Sequence, residues 1–219
     1  MAFNRARLVY ERILDECPWC VDAHVGLSMT YRYLGSDENA FRHARIAVGV
    51  ESLATSALWN CGELLWPWRG KEYDEFPHLI DRLEQSRDYL QRAAATSHPG
   101  AAHALISLWT FYAVTQEPEL ARVQLQEMGR RNYFPAVVTD RAYNYLAGLD
   151  SNAVLLTVGD MDTYPVYYLQ EVEGVRTDVA VVNAAMLGMW DYAKKIRDDG
   201  KAPIALTDME IDLRTTGQE

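Results

Sequence analysis

The chain has 219 residues, 49% of them apolar, with 31 acidic and 21 basic side chains and a net charge of −10. That length predicts one large domain or two small ones, and the apolar share predicts a packed core. The acidic balance excludes a nucleic-acid binder, which needs basic surface, and the lack of any run of about 18 apolar residues excludes a transmembrane helix. No signal peptide is visible, because Arg5 and Arg7 are not followed by an apolar segment. Three cysteines, an odd and small number, do not form a disulfide framework. They suit a reducing compartment or buried thiols, and the lack of a visible signal peptide or transmembrane segment slightly favours the cytoplasm without fixing it.

Along residues 1–150 the apolar spacing predicts helices near 3–16, 21–34, 37–49, 53–65, 78–96, 100–115, 117–131 and 136–149. Ala23, Leu27, Tyr31, Leu34, Gly35, Ala40 and Ala47 form one unit, and Ala57 and Cys61 repeat its phase 34 residues later. Ala6, Tyr10 and Pro18 fall in the preceding unit, while Ala104, Leu108, Tyr112 and Ala121 restart the pattern at an offset of 47 from Ala57. Small residues at Ala23, Ala40, Ala47 and Ala57 let neighbouring helices approach, and Tyr10, Leu27, Tyr31 and Leu34 fill between them. This register resembles the tetratricopeptide repeat over residues 1–132. The resemblance implies a right-handed helical solenoid, without chemistry of its own, that holds a protein or peptide partner in a concave groove. The chain opens inside a second helix of the pattern, so a piece of a longer protein or a short cap is expected at its start.

The extra residues between the two phases include 66–77, broken by Pro67, Gly70 and Pro77. Trp66, Trp68, Arg69 and Tyr73 in this insertion form a partner-binding surface or, with Phe76, plug the gap. Cys17-Pro-Trp-Cys20 has redox or zinc spacing, but Cys17, Cys20 and His24 lack a fourth ligand. Cys61 sits at a core position, and none of the five histidines joins a nucleophile motif.

Residues 151–219 carry 12 acidic and 6 basic side chains, net −6, and a different grammar. Ala153–Val158 and Val179–Val182 are apolar runs of strand type. Between them lie the turn Gly159–Tyr164 and an amphipathic stretch that Gly174 ends. Leu187–Arg197 is a second helical stretch and Pro203–Leu206 a third strand. The prediction is a small parallel three-stranded α/β module, half-Rossmann-like, with right-handed crossovers, its sheet covered by Val138–Leu149. The fold class is therefore α + α/β, with a helical-repeat domain over 1–150 and an α/β module over 151–219.

The stretches Gly159-Asp-Met-Asp-Thr-Tyr-Pro165, Tyr168-Leu-Gln-Glu-Val-Glu-Gly-Val-Arg176 and Asp178-Val-Ala-Val-Val-Asn183 resemble the soluble C-terminal part of bacterial membrane proteins related to protein O-mannosyltransferases. In that family glycosyl transfer is expected from the membrane part, so the resemblance carries no activity to this segment. Ligands of open α/β sheets bind beyond the carboxyl ends of the strands. Asp160, Asp162, Thr163, Tyr164 and Asn183 are therefore the candidate site. The aspartates suit a helix N-cap, with Asp162 or Thr163 accepting backbone N–H groups. Asp160, Asp162 and Asn183 otherwise suit a divalent cation in a metal-dependent enzyme or sugar-nucleotide-binding module, and a polar or peptide contact is the third reading. Arg176 is expected to pair with Glu171 or Glu173. The sequence points to a protein-interaction or scaffolding module rather than an enzyme, with no resident cofactor, and leaves the oligomeric state open.

Overall fold

The computed structural model describes residues 2–66, 79–188, 190–200 and 202–211. Among them, 2–66 and 79–108 form one compact unit and 109–211 another, so the division falls inside a helix. The first unit holds α1 (Ala2–Glu16), α2 (Val21–Tyr33), α3 (Asp37–Val50), α4 (Thr55–Leu65), α5 (Leu79–Ala94) and the first half of α6 (Ala101–Val114). The helices expected from apolar spacing are thus present, within two residues at each end.

Consecutive helices pack in order, α1 on α2, α2 on α3, α3 on α4 and α4 on α5, and α2 also touches α4. Ala23, Ala40, Ala44, Ala47 and Ala57 are all buried, with Leu27 and Leu58 beside them. Two glycines bring helix axes closer still. A Cβ at Gly26 would overlap the Tyr10 ring, and one at Gly62 would lie 2.6 Å from Leu90 Cγ. Cys61 is fully buried, and burial pushes its thiol up to about 12, which leaves it inert packing. Cys17 is exposed, and Cys20 sits at the N-cap of α2.

A histidine pair ties α2 to α3. His24 Nε2 donates to the Pro18 carbonyl at 2.9 Å, and His24 Nδ1 lies 2.9 Å from His43 Nδ1. Tyr31 stacks on the His43 ring at 5.6 Å and donates to Glu11 Oε1 at 3.2 Å. Burial first, then His24 and Arg42, hold His43 down at about 4 against the pull of Glu11.

The second unit adds α7 (Pro118–Arg130), α8 (Ala136–Ala147), β1 (Val154–Thr157), α9 (Asp160–Tyr167), a π-helical turn at Tyr168–Val172, β2 (Ala180–Asn183), a 3-10 turn at Met186–Gly188 and α10 (Trp190–Asp198). β1 and β2 pair in parallel, Val154 opposite Ala180 and Thr157 opposite Asn183. This strand–helix–strand order is the expected one. The expected third strand is absent among the described residues. Pro203 lacks an N–H, and Ile204 N turns back onto Ala202 O at 2.8 Å. The β2 edge it would have joined is closed by side chains: Asn183 N–H donates to Tyr192 Oη (2.9 Å), which lies 3.1 Å from Tyr167 Oη, itself 3.5 Å from the Val181 carbonyl. α8 packs on α9 and the π turn.

Gly62→Ala is expected to cost about 1–3 kcal/mol through overpacking against Leu90. Gly49→Ala, which meets open space in α3, should gain roughly 0.5–1 kcal/mol. Urea unfolding of both variants checks the contrast. The histidine pair predicts a pH dependence. The unfolded chain takes up the His43 proton near 6.5 and the folded chain only near 4, so stability is whole above 6.5 and falls as pH drops toward 4. Melting curves across that window should show His43→Gln with a shallower loss than the parent.

Candidate functional site

β1 ends at Thr157, and the chain turns through Gly159, whose φ of 83° and ψ of 164° suit glycine, directly into α9. Gly159 is the N-cap, and no side chain caps the helix. The expected capping by Asp162 or Thr163 is therefore corrected: α9 starts earlier, which puts both residues inside its first turn. Pro165 then falls in the helix interior, where its missing N–H leaves the Met161 carbonyl without its helical partner. Arg141 of α8 supplies one. Its Nη2 donates to Met161 O at 2.9 Å and to Asp162 Oδ1 at 2.8 Å.

Thr163 and Asn183 do come together. Thr163 is fully buried, its Oγ1 2.8 Å from the Gly159 carbonyl and 2.8 Å from Thr157 Oγ1. Asn183 Nδ2 donates to the same hydroxyl at 3.2 Å, and its Oδ1 accepts from the N–H groups of Ala185 (2.9 Å) and Met186 (3.3 Å). This network locks the ends of both strands to the start of α9. Tyr164 points elsewhere, its hydroxyl 3.2 Å from Thr110 Oγ1 and its ring edge-on to Trp109. Asp160 is exposed, Asp162 half-exposed and paired, and Asn183 spent on the network. Among the described residues no group of three or more His, Cys, Asp or Glu is placed to hold a metal ion.

Arg176 was the residue whose role the sequence hid. Its φ of 48° is left-handed, and Gln170 Nε2 holds its turn through the carbonyls of Arg176 and Val179, both at 2.8 Å. Its guanidinium donates to the carbonyls of Leu146, Leu149 and Asp150 at the end of α8 and grips both oxygens of Asp178. The partner is thus Asp178 rather than Glu171 or Glu173, and that contact holds the Asp178 carboxyl well below its usual range. A cleft of 490 Å³ lies at the amino ends of the strands, away from Gly159, with Tyr167, Gln170, Glu171, Asp178 and Asp199 in its wall. Asp178 and Asp199 are engaged by Arg176 and Lys195 (3.1 Å).

In the first unit, α2, α4 and α6 share a polar row. Arg32 Nη2 meets Glu63 Oε2 at 2.8 Å, and Ser107 Oγ donates to Glu63 Oε1 at 2.6 Å. Trp59 Nε1 donates to Ser107 Oγ at 3.1 Å, with Arg32 over its ring at 5.4 Å and His103 beside it at 5.3 Å. Asn60 donates to Ser28 Oγ at 3.2 Å, and its Oδ1 is buried without a partner. Sequence reading found the helices but not this row. The links join residues 31, 32, 44 and 48 apart, near the repeat offsets, which was the available signal. Of the insertion, Trp66 is buried at the end of α4, while Trp68, Arg69 and Tyr73 lie outside the described residues.

Residues 138–211 match the family model described as TMEM260-associated domain 2. The match covers about a third of the chain and takes in the Gly159 turn, Arg176, Asn183 and the whole stretch that carried the sequence resemblance. No curated protein matches, and no solved structure does. Among the described residues no helix is long and apolar enough to cross a membrane.

Thr163→Val is expected to cost about 1–3 kcal/mol, because Asn183 and the Gly159 carbonyl lose a buried partner. Asp162→Ala, which frees a half-exposed pair, should cost no more than about 1 kcal/mol. Urea unfolding ranks the two. A saturable Mg²⁺ or Mn²⁺ signal in calorimetry that disappears in Asp160→Asn/Asp162→Asn would instead make the turn a metal site.

Proposed function

We propose that the chain is a protein-interaction module whose helical unit presents Arg32, Trp59 and His103, held in place by the buried Glu63 and Ser107, to a peptide or protein partner. The observation that carries this reading is the cross-linking of α2, α4 and α6 on one face by buried and half-buried polar contacts. Such contacts fix the rotamers of Arg32 and Trp59 before any partner arrives, and preorganised Trp and Arg side chains are what binding hot spots use. His103 beside them is exposed and open to contact. The match of residues 138–211 to a domain described as TMEM260-associated supports a part that works alongside another.

Selection of displayed random peptides on the purified chain tests the proposal. A consensus peptide should emerge whose affinity falls about tenfold, about 1.4 kcal/mol, in His103→Ala and in Trp59→Phe, with melting temperature unchanged in the exposed His103→Ala variant. No consensus, or one indifferent to both substitutions, overturns it.

A further inference from the structure

β1 is covered on one side only. The ladder bonds of β1 to β2 run through Ala153 O and Thr157 O, so the backbone groups of Val154, Leu156 and Val158 face away from β2. None of these three residues has a backbone partner among the described residues. Their side chains point to the face opposite Thr157 and are exposed at 40%, 64% and 66%. Val182, the register partner of Leu156, is 2% exposed, so the cover on that face stops between the two strands. Parallel strands are ordinarily buried on both faces, and natural edge strands are blunted by charge, proline or a bulge. This edge carries none of those devices within Val154–Val158.

We infer that the open edge of β1 is a docking site for an extended segment of a partner protein that joins the sheet as a further strand. Unsatisfied N–H and C=O groups in strand spacing select an extended backbone, and the Val154–Leu156–Val158 stripe selects apolar residues at every second position. Charge selects the ends. Asp150 and Asp160 stand one at each end of the strand in a module of net −6, so the segment has basic flanks. The same charges disfavour a second copy of this chain, because antiparallel pairing of two β1 edges would set Asp150 against Asp160. The edge belongs to the other unit from the Trp59 row and stands or falls separately from it.

The test uses the full chain and a fluorescent synthetic peptide, Lys-Lys-Val-Thr-Val-Thr-Val-Lys-Lys. Fluorescence polarisation should show saturable binding, weakened tenfold or more by N-methylation of alternate peptide amides and by replacement of its lysines with glutamates. Leu156→Lys should weaken binding tenfold or more, whereas Val137→Lys, at an exposed position on α8, should leave it unchanged. Absence of saturable binding up to millimolar peptide, or equal binding of the N-methylated peptide, overturns the inference. A concentration-dependent dimer in sedimentation that Leu156→Lys abolishes overturns it too, by making a second copy the occupant.

Discussion

Two parallel strands of four residues cannot satisfy their own backbones, and the C-terminal unit is organised around that shortage. Half of the polar groups on each strand face away from the ladder. On β2 they meet Tyr192 and Tyr167, whose hydroxyls stand where a neighbouring strand would be. Burial raises both phenols, so they stay protonated at any ordinary pH and remain available as donors. At the carboxyl ends, Thr157, Thr163 and Asn183 replace a third strand's cross-links with side-chain bonds. At the amino ends, Arg176 performs the same service for the last carbonyls of α8.

The helical half of the architecture was legible because packing writes a period into sequence. Alanines at Ala23, Ala40, Ala47 and Ala57 announce close helix contacts, and all four are buried. The strand–turn–helix–strand segment was legible from its apolar runs and Gly159. The illegible parts have one cause in common: they depend on tertiary partners. Pro203–Leu206 has strand composition, but nothing local records that tyrosines already occupy the edge. Asp162 reads as a cap until Arg141, twenty-one residues earlier, is known to bridge it to Met161. Arg176 reads as a surface charge, though its reach spans thirty residues to Leu146.

The candidate site illustrates the same limit. Of the residue types that suit a metal in this segment, Asp162 and Asn183 are engaged in fold-holding bonds, while Asp160 stands exposed. Buried polar side chains mark a network that must be complete, which makes them conspicuous in a sequence whether or not they face a ligand. The row on α2, α4 and α6 lies elsewhere and was missed because Arg32, Trp59 and Ser107 are ordinary helix residues taken singly.

The matched segment begins at Val138, after much of what its tyrosines rest on. Trp109 stacks on Tyr167 at 4.6 Å, Phe134 lies 5.5 Å from Tyr168, and the Tyr168 ring occupies the space that Gly129 leaves without a Cβ. A piece cut at the boundary of the match would strip these partners from Tyr167 and Tyr168. The segment that sequence comparison delimits and the segment that can fold are therefore different lengths of chain, and a workable dissection starts upstream of α7, at or before Trp109.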